Sequence, residues 1–480
     1  MRLSKYILTL LLLAGAIVSN AQQGDTTTLT LQQCLDIAVK NNLQVKLSGS
    51  TAEQDRIALR QSKENLLPSI VGNAGRTLSQ GHVINSLTNS YVNQSQTADA
   101  YNLNGNVVLF NGLSLQNAVK QASLTYQAGK MDFQAAKDIV TINIITNYLA
   151  ILDNQEILAA NISQQAVNQE NVNILQIKDK QGANAAASDL TDFVGQLASS
   201  KVAVVSAQNS LDAAKLNLYQ LLNIPYNPNA KYSPLNAEEL SSQYGANPDD
   251  IYATALKQLP AVKAAELHRE SFEKGVKVAK GQLLPTISLG GGLSTTYSST
   301  GQKSVFVDSV TNGVPGLYAN GPNGKESIIS TSANNQLQNI SYGDQFKNNY
   351  ATSVSLGLNI PIFTNGYKRN AVALAKINLL NAQYQEDNTK IQLKQNIEQA
   401  YYNMSSAYKR YQVLKEQVAA YTESYRIYKL RFDAGVLTSY QFILAKNNLD
   451  AATVNMISAR YDYFIDSKIL DYYQGKLSSF

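Results

Sequence analysis

Cysteine, tryptophan and histidine are nearly missing from this chain. Its 480 residues hold one cysteine, Cys34, no tryptophan, and two histidines, His82 and His268. A lone thiol excludes an internal disulfide, so stability has to come from packing or assembly. Cys34 falls on the apolar face of a predicted helix and reads as a small buried hydrophobe, not a nucleophile. With two histidines far apart there is no Ser-His-Asp order and no metal spacing, and no phosphate-binding loop is present. Both histidines read as surface residues. No enzyme, catalytic residue, metal or cofactor site is expected. Charge of one sign is lacking too. The formal net charge is +5, and the basic residues do not cluster, which argues against a nucleic-acid partner.

Long apolar runs are also scarce. Tyr6 to Val18 is 13 residues long, too short to span a bilayer. Arg2 and Lys5 precede it, and Ser19-Asn20-Ala21 offers small residues for a cleavage site. Residues 1–21 therefore read as a secretory signal peptide cut before Gln22. No cysteine follows the cut, so a lipid anchor there is not available. The rest has no apolar run expected to cross a membrane as a helix; contact with a bilayer would have to be made by strands.

Proline and glycine are absent in a pattern. No proline lies between Ser69 and Ile224, and none follows Pro361. Between Gly112 and Gly182 the only glycine is Gly129, and between Gly366 and Gly435 there is none. Both windows are free of helix breakers, and each has room for a helix of about 100 Å at 1.5 Å per residue. Helices that long need supercoiled partners. In the second window Ile397, Ala400, Met404, Ala407, Tyr411, Leu414, Val418, Tyr421, Tyr425, Tyr428 and Phe432 follow a 3-4 spacing, a heptad seam. In the first, Ile144, Tyr148, Ile151, Leu158 and Ile162 fit, with Gln155 interrupting. Helical pattern resumes after Gly182 and Gly435 and runs to Asn223 and Gly475. Each glycine marks the tip of a helical hairpin, and Thr438 with Gln441 has capping-box spacing.

What is present is present twice. Leu66-Leu67-Pro68 and Leu283-Leu284-Pro285 stand 217 positions apart, and the helix-like segments before them, Ala38 to Leu66 and Ala255 to Leu283, align without a gap. Each short segment is expected to partner the part of a long helix that the returning helix leaves bare. After the prolines the period changes to two. Ile287, Leu289, Gly291 and Leu293 share a face against Thr286, Ser288, Gly290 and Ser294. Val354, Leu356, Leu358, Ile360 and Ile362 oppose Ser353, Ser355, Gly357 and Asn359; Tyr101, Leu103, Val107 and Leu109 alternate likewise. Each half thus carries two strands, apolar on one face and small or polar on the other. Such strands suit a soluble sandwich or a membrane barrel; four are too few to close a barrel alone, and three copies would give twelve. The second hairpin is longer by 36 residues, which fall in a polar stretch, Ser299 to Phe346, expected to be a loop at the outer end of the barrel, with the helices in the periplasm.

The duplicated order resembles the outer-membrane efflux proteins, or outer membrane factors, typified by TolC. The resemblance rests on Leu29 to Asn42 (LTLQQCLDIAVKNN) as the opening helix and on the two Leu-Leu-Pro corners. It rests also on Leu197 to Pro225 as a returning helix and on Arg431 to Leu449 as the second tip. It implies a homotrimer: a membrane α+β fold, internally duplicated, with four strands per protomer completing a 12-stranded β-barrel that is continued by a long coiled-coil α-helical barrel. Signal peptide 1–21, first repeat 22–224, an inter-repeat belt-like linker 225–248 and second repeat 249–480 follow from it. So do a cell outer-membrane location, outer-membrane lipid contact, a periplasmic adaptor (membrane fusion protein) and, through it, an inner-membrane pump. The channel would passively conduct substrates in tripartite efflux or type I secretion. By the same resemblance Gly182, Ala183, Gly435 and Val436 are tip residues for adaptor contact. Where relatives carry acidic residues past the second tip, this chain has Gln441 and Leu444; Asp189 and Asp192 follow the first tip out of step. The aromatic end of the seam, Tyr421, Tyr425, Tyr428 and Phe432, with Gln441, is the candidate gate. A periplasmic coiled-coil scaffold without a barrel is the alternative reading.

Overall fold

A computed structural model of the chain describes residues 28–85, 89–180, 187–234 and 244–476. In order these form β1 (Thr28–Leu29), α1 (Leu31–Asn41), α2 (Leu43–Glu64), β2 (Ser69–Asn85), β3 (Ser90–Phe110), α3 (Ser114–Lys180), α4 (Ala187–Leu222) and β4 (Lys231–Tyr232). There follow α5 (Pro248–Gln258), α6 (Pro260–Gly281), β5 (Thr286–Ser298), β6 (Gln302–Gly321), β7 (Gly324–Asn339), α7 (Tyr342–Asn348), β8 (Ala351–Asn359), α8 (Tyr367–Asp433) and α9 (Ser439–Tyr473). The signal-peptide reading, and the tip residues Gly182 and Ala183, lie outside the described residues.

Helix lengths repeat. The helices of the first half have 11, 22, 67 and 36 residues, and those of the second, apart from the seven-residue α7, have 11, 22, 67 and 35. Each short helical segment is broken once, at Asn42 and at Leu259, where the backbone is extended. The break was not foreseen, although Pro260 signals it: proline disfavours helix in the residue before it and suits the first helical turn. In the first half Asn42 does the same job differently, its Oδ1 accepting from Gln44 N at 2.9 Å and Val45 N at 3.3 Å.

The hairpin ends follow the sequence. Gly435 has φ +74°; its N–H donates to Phe432 O at 2.9 Å and Val436 N–H to Arg431 O at 3.0 Å, a Schellman stop. Asn223 (φ +52°) and Gly475 (φ +71°) end α4 and α9 with the same bond pattern. Thr438 and Gln441 form the expected capping box.

Contacts divide the chain into two units. One takes residues up to Ile57, Ser123–Phe272 and everything from Asn378 onward; the other is Ala58–Ala122 with Glu273–Ile377. In the first, α1 packs on α4 and α5 on α9. One core gathers Cys34, Ile144, Tyr148, Leu149, Leu218 and Leu222, a second Ile251, Val262, Ile397, Met404, Tyr463 and Leu470. Cys34 is fully buried, and burial pushes its thiol up to about 11, as befits an inert apolar residue. The Tyr148 hydroxyl lies 3.1 Å from the Leu29 carbonyl and 2.9 Å from that of Ser233, fastening the parallel pair β1–β4.

Three expectations need correction. The predicted second-half seam is intermediate or buried at every position, but the first-half line leaves its register: Ile162 is exposed, and Asn161, Asn168, Val172 and Leu175 are buried instead. Gln155 marks the start of that drift. The stretch Ser299 to Phe346 is not a loop but the antiparallel hairpin β6–β7 plus α7. Its turn pairs Gly321 with Gly324 across Pro322-Asn323, and Gly324 has φ +110°, a hairpin signal that polar composition hid. Finally, α3 contains a window of mean hydropathy 1.3, apolar enough on length and composition to cross a membrane. It also supplies Ile144, Ile145, Tyr148, Leu149, Ile151 and Leu152 to the first core.

The two strand-to-helix corners invite a paired test. Gly112 (φ +66°) and Gly366 (φ +76°) both occupy the left-handed region. A Cβ on Gly112 would overlap the Gly281 carbonyl and the Leu284 side chain, whereas on Gly366 its nearest neighbour is Asn370 Nδ2 at 3.8 Å. Gly366→Ala is expected to lose about 1–2 kcal/mol from backbone strain alone, and Gly112→Ala more. Thermal unfolding of both variants checks the order; equal losses would remove the steric argument.

Candidate functional site

Two surfaces carry the functional argument: the faces of the sheet and the described side of the hairpin tips. The sheet is antiparallel, in the order β2-β3-β5-β8. Side chains alternate between faces along a strand, so register decides what each face shows. Leu289 pairs with Leu356 and Val107, Ile287 with Leu358, and Leu293 with Leu103. These residues share a face with Ile70 and Val354. On the other face Ser288 meets Gly357, Gly290 meets Ser355 and Asn106, and Gly292 meets Ser353 and Asn104. One face is thus a registered apolar band and the other a field of Ser, Asn and Gly.

Most of the apolar band is uncovered. Val354 is 82% exposed, Leu356 71% and Ile70 71%. A sandwich would have buried these side chains; among the described residues no second sheet covers them. Such a band with a polar opposite face fits a barrel wall with lipid outside and water inside. Among the described residues β2 pairs only with β3, and β8 only with β5, so two edges are open.

The tip side is aromatic. Tyr425, Tyr428 and Phe432 of α8 are half-buried against Val172, Leu175, Phe193, Leu197 and Phe442. Phe432 stacks on Phe442 with centroids 4.9 Å apart, and Tyr425 (5.5 Å) and Phe193 (5.9 Å) flank the same ring. Phe193 and Phe442 were missed from the sequence because they lie on the returning helices, off the seam; only the fold brings them to it. Tyr421 is half-buried, Gln441 is exposed with its side chain in the Thr438 cap, and Val436 stands exposed beside Gly435.

Two side-chain bonds join α4 to α9, and an ion pair within α9 stands beside them. Ser439 Oγ donates to Asp192 Oδ2 at 2.9 Å, Gln196 Nε2 donates to Asn447 Oδ1 at 2.5 Å, and Lys446 Nζ meets Asp450 Oδ2 at 2.5 Å. Lys446 is buried, and burial raises the Asp450 carboxyl despite that ammonium. The out-of-step Asp192 is thus engaged in a cross-hairpin bond. Of the histidines, His82 is exposed as expected, while His268 is half-buried and bonded to Asp132 at 2.8 Å, which raises its basicity.

A four-stranded β-domain and long helical hairpins make up the described chain, the fold of the solved outer membrane channels it superposes on. The family model "Outer membrane efflux protein" matches residues 328–475. The chain is 22% identical to the outer membrane efflux protein BepC of Brucella suis biovar 1 over 460 residues, 94% of this chain and 86% of that one. It is also 22% identical to the outer membrane protein TolC of Escherichia coli over 454 residues, 91% and 80% respectively. Among solved structures, the Campylobacter jejuni CmeC outer membrane channel superposes with TM-score 0.72 at 20% identity, covering 93% of this chain and 86% of that one. Vibrio cholerae VceC gives 0.73 at 14%, covering 93% and 96%. The matching family model, the two relatives and the superposed structures are all outer-membrane efflux channels, proteins of the cell outer membrane with periplasmic helical domains, and this chain resembles them over nearly its whole length. These relatives are channels, not enzymes.

One group in the helical unit predicts a pH response. Burial, then Asp462 and Glu156, raise the Asp153 carboxyl to about 7, and its Oδ1 is buried without a hydrogen-bond partner. A carboxyl whose folded pKa lies above its unfolded value binds its proton more tightly when folded. Stability therefore falls as pH rises from about 4 to about 7. Asp153→Asn, a neutral isostere, is expected to raise the melting temperature, and to raise it by several degrees more at pH 8 than at pH 5. Melting curves at both values decide it; no gain at pH 8 would mean that water or assembly already solvates the charge.

Proposed function

We propose that three copies of this chain close a twelve-stranded barrel and a twelve-helix tunnel, and that the assembly is the passive exit duct of a tripartite efflux or type I secretion system. The carrying observation is the sheet: lipid-compatible on one face, polar on the other, and open at both β2 and β8. In hydrocarbon an unpaired backbone group costs several kcal/mol, so β8 of one copy has to find β2 of the next. In this reading the leader 1–21 is removed, and repeats 22–224 and 249–480 flank the linker 225–248. Cargo arrives from an inner-membrane pump through a periplasmic adaptor. A wall of Ser, Asn and Gly holds cargo weakly, as passage demands. Native mass spectrometry of detergent-solubilised protein is expected to give a trimer, with the protein in the outer-membrane fraction of cells. A stable folded monomer, or release with the periplasm as a coiled-coil scaffold would show, ends the proposal.

The adaptor is assigned to the tips, Gly182, Ala183, Gly435 and Val436. Ala183→Glu combined with Val436→Glu is expected to abolish efflux while outer-membrane levels stay normal. Unimpaired export by that variant would exclude tip docking.

The gate is assigned to Tyr421, Tyr425, Tyr428 and Phe432, with Gln441 at the hairpin cap. Because Tyr425, Tyr428 and Phe432 pack in one cluster with Phe193 and Phe442 of the same chain, the latch we envisage lies within a protomer. It holds α8 against its own returning helix, and the partner opens it by favouring the separated state. Tyr425→Ala with Tyr428→Ala is expected to raise the open fraction of the isolated trimer in planar bilayers. Unchanged conductance in a folded trimer would make the rings packing only.

A further inference from the structure

The short helix α7 is packed on the apolar face of the sheet, not on the polar one. Thr295 Oγ1 donates to the Phe346 carbonyl at 2.8 Å, and Gln345, buried, exchanges bonds of 2.9 Å with the Ser298 backbone. Thr295 shares its face with Leu293, and so with the lipid-compatible band. Beside α7 lies a cavity of about 440 Å³, lined mainly by Ala74, Tyr101, Leu103, Leu293, Phe346 and Tyr350. That volume falls within the range of about 300–1,000 Å³ of small-molecule sites.

One same-face step along β2 and β3 from the Ala74–Tyr101 pair is the pair Arg76–Asp99. Arg76 Nε and Nη2 donate to the two Asp99 carboxylate oxygens, each at 2.7 Å. Asp99 is 1% exposed and Arg76 is 68% exposed. A guanidinium has five donors, and this pairing uses two. The carboxylate fixes the fork at the surface and leaves it with donors in a plane suited to phosphate. Around it stand tyrosines: Tyr101 and Tyr342 hydroxyls 2.8 Å apart, and Tyr297 against Tyr342 at 4.6 Å. Tyrosines of this kind gather where membrane meets water. The level lies beyond the start of β8, at the strand ends remote from Phe110 and Asn359.

We propose that this recess binds the phosphorylated, acylated saccharide lipid of the outer leaflet, an acyl chain in the cavity and a phosphate on Arg76. The inference rests on the barrel reading, which makes the apolar band a lipid surface. The cavity is continuous with that band, and this continuity argues for lipid over a second copy of the chain. Arg76 then selects by headgroup, and α7 acts as a cleat that holds an annular lipid at a fixed place on each protomer.

The test uses the full-length trimer in mild detergent, titrated with lipid A and with lipid A stripped of phosphate, read by native mass spectrometry. Wild type is expected to bind up to three lipid A molecules per trimer, at least five-fold more tightly than the stripped form. Ala74→Trp, which fills the cavity, is expected to weaken both at least ten-fold. Arg76→Gln with Asp99→Asn, which removes both charges together, is expected to keep binding and lose the phosphate preference. A photocrosslinker at Tyr350 of the otherwise unchanged chain is expected to label lipid, and it keeps the test open if Ala74→Trp does not fold. Wild-type affinity in Ala74→Trp, no phosphate preference in wild type, or crosslinking to a second copy overturns the proposal. Trimer mass and conductance are recorded on the same samples. A conducting trimer indifferent to lipid A ends this inference and leaves the channel reading in place.

Discussion

A four-stranded sheet cannot end in hydrocarbon. The backbone of β2 and of β8 each presents a row of N–H and C=O groups along one edge, and in a bilayer neither water nor side chains answer them. Every larger feature we assign to this chain follows from that constraint. It makes the protomer incomplete, it makes three copies of four strands a natural closure, and it makes the register of the sheet matter. With Leu289 opposite Leu356 and Ser288 opposite Gly357, a slip of one residue would turn every apolar side chain inward.

The helices solve a different problem by duplication. A 67-residue helix cannot be stabilised by its own turns; it needs partners along its length. The chain supplies two per half, a returning helix and a broken short one, and it stops both returning helices with the same bond pattern at Asn223 and Gly475. Shared length did not require shared chemistry. Asn42 makes by side-chain capping the break that Pro260 makes by its ring. The second-half seam keeps its heptads, whereas the first-half line passes through buried Asn161 and Asn168.

At the tip, aromatic packing and polar bonding work side by side. Phe432, Phe442 and Phe193 close a small apolar cluster, while the Asp192–Ser439 and Gln196–Asn447 bonds tie α4 to α9 across it. Of these two bonds one is between neutral amides and the other ends on the Asp192 carboxylate.

Local patterns were enough for much of this. Missing prolines and glycines gave the long helices, the 3-4 spacing gave the second seam, period two gave the strands, and Thr438 with Gln441 gave the cap, because each depends on neighbours within a few residues. The repeated Leu-Leu-Pro corners and the order of motifs were enough to recognise the family. What the sequence did not decide depends on residues far apart in the chain. In Ser299 to Phe346 apolar residues such as Val305, Phe306, Val307, Ile328 and Ile329 fall on both faces, so the pairing as β6–β7 left no period-two trace. The aromatic cluster needed Phe193 and Phe442 carried back beside α8 by two separate hairpins. Arg76 and Asp99 became a pair only through the β2–β3 register, and the recess beside α7 exists because a segment after β7 folds back onto β5. Local propensity acts within a turn or a strand; these features are set by which distant surfaces the chain finally brings together.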